Sequence, residues 1–279
     1  MIDNLAVFGS PIEHSMSPSI HNYFAKLTNK NINYQKILSA KEEFTSKVTE
    51  FFNSGAIGCN ITVPCKKEAF LFADTHTTRA KDAQVCNVLK KMPDGTILGD
   101  NTDGAGLCLD LEDKGIDLKH SKILIVGAGG ASLGILNPLL YHGVKTLYWT
   151  NRTYDKLADL YNNFDKNKQQ KIHIFNINNL PDDVDLIINA SSSSLYNDLP
   201  KIDDNLYSKA SFVYDLMYSK DGQTIFTKHA KNMGTKQVFD GFGMLIMQAL
   251  LSFELWYDIK LNRENLVENL RQQILNDKA

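Results

Sequence analysis

Gly127-Ala128-Gly129-Gly130-Ala131-Ser132 directly follows an apolar run, Lys122–Val126, and opens a stretch of helical periodicity. Glycines in such a turn let the chain bend tightly and let its backbone approach a pyrophosphate. The helix N-terminus behind them offers N–H groups and partial positive charge. A plain tight turn has the same composition, but the strand-to-helix setting favours a dinucleotide. Ser132 replaces the usual third small residue and still permits close packing. About twenty residues on, the next strand ends Trp149-Thr150-Asn151-Arg152-Thr153, with no acid before Asp155. A carboxylate there would accept from the ribose 2′-hydroxyl of NAD. A planar, permanently charged guanidinium suits the 2′-phosphate of NADP instead, and Lys156 adds a second cation. The expected chemistry is hydride transfer between NADP and a small polar molecule.

A second set of polar residues lies outside that region. Gly9-Ser10-Pro11 and His14-Ser15-Met16-Ser17-Pro18, running on to His21, put two hydroxyls before a helix. Ser17 reads as its N-cap with Pro18 first inside, whereas Ser15 has no such local role. Asn60-Ile61-Thr62-Val63-Pro64-Cys65-Lys66 gathers an amide, a hydroxyl and an amine around a strand end. Asn87 falls in a hairpin, and Gly99-Asp100-Asn101-Thr102-Asp103-Gly104 precedes the glycine-turn region. Lys66 also reads as a helix-start surface lysine, and Asp103 as an N-cap before a Gly104–Leu111 helix.

The elements that must position these residues fall into two sets. Around the glycine turn, strands are expected at Lys122–Val126, Thr146–Thr150, Lys171–Ile177, Asp185–Asn189, Phe212–Leu216 and Lys236–Phe239. Helices are expected at Ser132–His142, Tyr154–Phe164 and Gln223–Met233, with Asp165–Lys171 a solvated loop. Apolar strands alternating with helices predict a doubly wound parallel sheet. The preceding part reads as strands Leu5–Phe8, Tyr34–Leu38 and Gly58–Val63 with helices Pro18–Leu27, Glu42–Phe52 and Lys66–Ala73. A hairpin of Val85–Met92 and Thr96–Leu98 should turn at Pro93-Asp94-Gly95. The last helices, Met244–Ile259 and Glu264–Leu275, are expected to return to the first domain. That gives residues 1–103 completed by 242–279, and 104–241 as the cofactor domain. Glycines at the two joints, near Gly104 and Gly241–Gly243, suggest hinges.

With 279 residues, 43% apolar and 22% charged, the chain is long enough for two ordinary globular domains. A net charge of −2 supplies no field to draw nucleic acid or an anionic membrane. Cys59, Cys65, Cys86 and Cys108 form no CxxC pair and have no histidine cluster beside them, which argues against zinc or disulfides and for a reducing cytoplasm. The N-terminus lacks the pattern of a signal peptide. Met244–Trp256, the most apolar segment, contains Gln248, Ser252 and Glu254 and is too short for a membrane span. The Asn60-Ile61-Thr62 sequon means nothing without export.

From Ala6-Val7-Phe8-Gly9 to Asp240-Gly241-Phe242-Gly243-Met244-Leu245 and Gln248, the chain resembles the shikimate dehydrogenase family. The resemblance rests on the Ser-x-Ser-Pro-x-x-His run, Asn-x-Thr-Val-Pro-x-Lys, Gly-Asp-Asn-Thr-Asp-Gly, the Gly127 turn, Asn151-Arg152-Thr153 and Asn189-Ala190-Ser191. It implies an N-terminal α/β substrate domain plus a doubly wound Rossmann-type NADP-binding domain, with the active site in the cleft between them. It further implies NADPH-dependent reduction of 3-dehydroshikimate, on the route to chorismate and the aromatic amino acids. Carried onto matching positions, Ser15, Ser17, Thr62, Lys66, Asn87, Asp103, Tyr218 and Gln248 would hold shikimate. Gly127, Ala128, Gly129, Gly130, Ala131, Asn151, Arg152, Thr153, Tyr154, Asp155 and Lys156 would hold NADP, with Leu216 and Gly241 near the nicotinamide. The expected partner is that small molecule, with no nucleic acid and no membrane, in a monomer or homodimer.

The residue types suit the task. A carboxylate and three hydroxyls need many hydrogen-bond donors, and a ketone being reduced needs a proton at its developing alkoxide. A positioned ammonium, Lys66, can stabilise and protonate it, with Asp103 as the natural orienting partner. The sequence departs from the family pattern in three places. Gln84-Val85-Cys86-Asn87-Val88 lacks the hairpin threonine, Ser194 stands where a glycine closes the Asn189-Ala190-Ser191-Ser192-Ser193 segment, and Leu133 where arginine is frequent. Two other functions stay open: a quinate/shikimate dehydrogenase with relaxed cofactor use, and a non-catalytic NADP or metabolite sensor.

Overall fold

Leu5, Ala6, Val7 and Phe8 are all buried in β1 (Asp3–Gly9), because that strand takes parallel neighbours on both sides. The computed structural model describes residues 2–276 and divides into two compact units. One unit takes the chain up to Gly106 and again from Ile246; the other is Leu107–Leu245.

In the first unit the chain runs α1 (Ser17–Leu27), β2 (Ile32–Leu38), α2 (Lys41–Asn53), β3 (Gly58–Ile61), α3 (Lys66–Phe72), β4 (Thr75–His76), α4 (Thr78–Ala83), β5 (Val88–Lys91), β6 (Ile97–Asp100) and the first turn of α5 (Asp103–Asp113). Its six-stranded sheet has the order β2-β1-β3-β5-β6-β4. The β3–β5 and β5–β6 pairs are antiparallel and the others parallel. Phe8 anchors one face, meeting Phe44 and Phe51 edge-on at 5.9 and 5.5 Å between ring centroids.

Several local expectations need correction. The hairpin turns at Pro93-Asp94-Gly95 as expected, with Gly95 at φ 89° and Met92 N donating to Thr96 O at 2.8 Å, but β5 covers only Val88–Lys91 of the expected Val85–Met92, and β6 runs Ile97–Asp100 instead of Thr96–Leu98. Residues 85–87 are held out of the first strand because Cys86 N donates to Lys66 O at 2.9 Å. Both β4 and α4 were absent from the sequence reading. Ser17 is the first helical residue rather than the N-cap, which is Met16, and Ser17 N donates to Ser15 Oγ at 3.3 Å. The local structural role therefore belongs to Ser15. Asp103 likewise begins α5 instead of capping it, and its N–H donates to Asn101 Oδ1 at 3.2 Å.

The second unit contains β7 (Lys122–Val126), α6 (Gly130–Tyr141), β8 (Thr146–Asn151), α7 (Tyr154–Asn162), α8 (Lys166–Gln169), β9 (Ile172–Asn176), β10 (Leu186–Asn189), α9 (Asp204–Lys209), β11 (Phe212–Asp215), α10 (Ile225–Asn232) and β12 (Gln237–Asp240). Its sheet is parallel throughout, in the order β12-β11-β10-β7-β8-β9. This is the doubly wound dinucleotide-binding arrangement. The Asp165–Lys171 segment, expected as a loop, contains α8. The Asp165 carboxylate caps it by accepting from Lys168 N at 3.0 Å, and no residue of α8 is buried, so no apolar period announces it.

The chain ends with α11 (Phe242–Tyr257) and α12 (Leu266–Asn276); the last residues of the expected 242–279 segment lie outside the described region. Within the first unit, Trp256 Nε1 donates to Leu89 O at 3.0 Å and Lys90 Nζ donates to Leu255 O at 2.7 Å. The unit boundaries fall inside α5 and α11. Gly243 sits in α11 for lack of space, since an added Cβ would lie 1.9 Å from Asp110 Oδ1.

His21 is fully buried in the first unit, stacked on Tyr34 at 4.6 Å, and neither ring nitrogen finds a hydrogen-bond partner. Burial lowers its pKa to about 3, and Asn60, a polar neighbour, pulls only weakly the other way. The unfolded chain therefore binds a proton here below the ordinary histidine value that the folded chain refuses. Stability from this group is complete above about pH 6.5 and falls as the pH drops from there toward 3. Between pH 7 and 5 the loss should be about 2 kcal/mol. Urea unfolding at both values checks this: His21→Phe should flatten the slope by that amount, and parallel pH dependences would remove the assignment.

Candidate active site

The carboxyl ends of β1 and β3 meet where Ser10 N donates to Val63 O at 2.9 Å and Thr62 N to Phe8 O at 2.8 Å. This sets the segment carrying Ser15 and Ser17 beside the one carrying Thr62 and Lys66. Ser15 Oγ lies 3.2 Å from Ser17 Oγ, and both side chains are half-buried, as is Thr62.

Lys66, first residue of α3, and Asp103, first residue of α5, are 37 positions apart in sequence, yet Lys66 Nζ donates to Asp103 Oδ2 at 2.5 Å. The other carboxylate oxygen accepts from Asn87 Nδ2 at 2.7 Å. Asn87 Nδ2 also lies 3.3 Å from Gln248 Oε1 on α11. Lys66 and Asp103 keep 28% and 26% of their side chains exposed, enough for a ligand to reach them. An ammonium held by a carboxylate, with amides around it, can orient and protonate a carbonyl oxygen.

Behind this pair lies a buried polar layer: Asn60, Asp100 and Thr102 come from the motifs noted in the sequence, whereas Tyr34, Arg79 and Ser252 lie outside them. Thr102 N donates to Asn87 Oδ1 at 2.8 Å, and Thr102 Oγ1 donates to Gln248 O at 2.9 Å. Asn60 Nδ2 reaches Ser252 Oγ at 3.0 Å, and Tyr34 OH donates to Asn60 Oδ1 at 2.8 Å. Asp100 is fully buried and takes Arg79 Nε at 2.9 Å and Nη2 at 2.5 Å; its backbone carbonyl accepts from Asn87 N at 3.0 Å. Asn87 is thus fixed at its backbone and at both ends of its amide, which aims its Nδ2 at Asp103. The signal available in the sequence was polarity at strand positions whose neighbours are buried: Asn60 in β3 and Asp100 in β6.

In the second unit, Gly127 adopts φ 120°, and a Cβ there would lie 2.9 Å from Ala190 C and Ser191 N, so no other residue fits. At Gly129 and Gly130 an added Cβ would meet nothing within 4 Å, which leaves the backbone at the start of α6 open to a ligand. Ala131 is also exposed, whereas Ala128 is buried and Ser132 is fully buried with its hydroxyl on Gly129 O at 2.8 Å. This cradle fits a pyrophosphate. Arg152, Thr153, Tyr154, Asp155 and Lys156 are exposed beyond β8, and Asn151 Nδ2 donates to Thr153 O at 2.9 Å. Among the described residues neither Arg152 nor Lys156 is engaged in a salt bridge, so both cations remain free for a phosphate. Leu216 N donates to Asn189 O at 2.9 Å, and Gly241 packs so tightly that an added Cβ would lie 2.2 Å from Leu216 O. Tyr218, alone among the substrate-side candidates, belongs to this second unit, 38% exposed with its ring against Phe242.

Comparison with known proteins agrees with these features. Residues 7–89 match the shikimate dehydrogenase substrate binding domain family, and residues 110–201 match the shikimate / quinate 5-dehydrogenase family. A shikimate dehydrogenase (NADP(+)) of Vibrio cholerae serotype O1 is 43% identical over 276 residues, 98% of this chain and 97% of that protein. The crystal structure of shikimate dehydrogenase from Aquifex aeolicus superposes with a TM-score of 0.80 at 28% identity, covering 96% and 97% of the two chains. Shikimate 5-dehydrogenase from Thermus thermophilus, solved in complex with NADP(H) and shikimate, gives 0.82 at 25% identity over 97% and 99%. With both family models matched in order and a relative aligned nearly end to end, the chain belongs to the shikimate dehydrogenase family.

Proposed function

We infer that the protein is an NADP-dependent shikimate dehydrogenase, reducing 3-dehydroshikimate to shikimate reversibly. The observation that carries this reading is the Lys66–Asp103 ion pair at 2.5 Å, with Asn87 on the second carboxylate oxygen. NADPH supplies the hydride when bound, and the Gly127 turn with Arg152 and Lys156 would hold it. Lys66 directs its ammonium at the substrate carbonyl oxygen and gives up a proton as that oxygen becomes an alkoxide. Asp103 keeps the ammonium aimed and, through Asn87, keeps the amide donor in register beside it. Ser15, Ser17 and Thr62 grip the carboxylate and hydroxyl side of the substrate, and Gln248 of the same unit adds a further polar contact. Four buried cysteines outside any disulfide fit a cytoplasmic enzyme.

One spectrophotometric assay tests the reading: NADPH should form when purified protein meets shikimate and NADP. Comparable turnover of quinate would move the protein to the broader quinate/shikimate class. No turnover, with NADP still bound, would make it a sensor.

Ser15 should act in binding alone. Ser15→Ala should raise KM for shikimate roughly tenfold, the cost of a hydrogen bond to a charged group, and leave kcat at saturation intact. A fall in kcat with KM unchanged would place Ser15 in the chemistry.

A further inference from the structure

Asp215, at the carboxyl end of β11, is a fully buried carboxylate that none of the steps above uses. Among the described residues it forms no salt bridge, and four neutral donors converge on it instead. Asn189 Nδ2 at 3.0 Å and Met217 N at 3.2 Å donate to Oδ1, while Ser194 Oγ and Thr224 Oγ1 each donate to Oδ2 at 2.6 Å. Burial pushes its pKa up and these donors pull it back. A buried charge without a counter-ion is costly, so what it ties together is informative. It joins the end of β10 and the loop after it, the turn after β11, and the first turn of α10, which Thr224 caps by accepting from Thr227 N at 3.2 Å.

These segments lie along the carboxyl edge of the parallel sheet. The chain runs outward from β7 through β8 to β9, then returns to β10 beside β7, so the winding reverses between β7 and β10. Open parallel sheets bind ligands outside the strand ends at that reversal. One wall of the crevice is the Gly127 turn; the other is the loop after β10, whose Ala190 N donates to Val126 O at 2.8 Å. Beyond the buried Ala190, side-chain burial does not hold that loop in place, since Leu195 and Tyr196 are 62% and 76% exposed. Polar ties hold it instead. Asn189 Oδ1 accepts from Ser191 N at 3.1 Å and Ser191 Oγ at 2.6 Å, and Ser194 is bonded to Asp215.

We propose that Ser194, clamped on Asp215, is a positioning residue for the dinucleotide: it fixes residues 190–197 as a preformed wall of the crevice that NADP enters. The proposal rests on NADP being the dinucleotide bound by this unit. Ser194→Ala removes one donor to the carboxylate, together with the oxygen that accepts from Asn189 Nδ2 at 3.2 Å, and leaves Asn189, Thr224 and Met217 on the carboxylate. KM and Kd for NADP should rise about fivefold, the effect of leaving the competent loop populated about a fifth of the time. At saturating NADP, kcat and the KM for shikimate should stay within about twofold of wild type, because affinity is lost through loop population alone. In the ligand-free variant, amide hydrogen exchange across 191–197 should quicken and slow again when NADP is added. Faster exchange with unchanged KM for NADP would make the hydroxyl merely structural and overturn the proposal, as would exchange that does not change. A wild-type protein that binds no NADP overturns the cofactor reading itself, a result obtained before any variant is made.

Discussion

Lys66→Ala should lower kcat by about 10²–10⁴ while shikimate still binds, the usual cost of removing a general acid–base group. Asp103→Asn should cost somewhat less, for a geometric reason. The two carboxylate oxygens of Asp103 each accept from an obligate donor, Lys66 Nζ on one and Asn87 Nδ2 on the other. An amide can accept from only one of them and must turn its own NH2 toward the second, so either the ammonium or the Asn87 amide loses its aim. The two residues act as a unit, so the double variant should be little worse than Lys66→Ala alone. In the oxidative direction the reaction releases a proton, and turnover of shikimate should rise with pH. Steady-state kinetics of the three variants in both directions decide the matter. Near-normal kcat in Lys66→Ala, with only KM disturbed, would demote the lysine to a binding residue and leave the proton donor unassigned.

Arg152→Ala should raise KM for NADP roughly 10–100-fold, as expected when a charge-assisted bidentate contact is lost, and should barely alter KM for NAD. Arg152 is exposed beyond β8, where an NAD enzyme would carry an acid. Lys156→Ala should do the same more weakly, because an ammonium is a point charge without the paired donors. Kinetics with both cofactors provide the check. Equal losses for NADP and NAD would show that Arg152 does not read the 2′-phosphate.

The second unit was the more legible from sequence. Its strands lie buried between helices and appear as apolar runs; Lys122–Val126 was read with the bounds it has, and the other strands to within about two residues at either end. The short elements were not legible. β4 has two residues, α8 is one polar turn, and α9 buries only Leu206 and Tyr207, so none carries a period long enough to detect. Lys66 and Asp103 stood out because their residue types and motifs suit a proton transfer. Their support did not, since the partner that fixes the Asn60 amide, Ser252, comes from α11, 192 positions away. A pairing across that distance leaves no local trace. Ser17 illustrates the opposite error: a serine before a proline satisfied the capping rule, yet the helix begins one residue early and Ser15 supplies the oxygen.

Because the first unit is split along the chain, it has an order of assembly on the ribosome. Translation at about 5–20 residues per second needs about 7–28 s to pass from Leu107 to Leu245. During that time the nascent β5 has emerged, but Trp256, which will bond the Leu89 carbonyl, and Leu255 and Asp258, which will receive Lys90, do not yet exist. The unit that carries Lys66 and Asp103 stays without its closing helices until the residues from Ile246 onward are made, so the unit encoded second is complete before the unit encoded first.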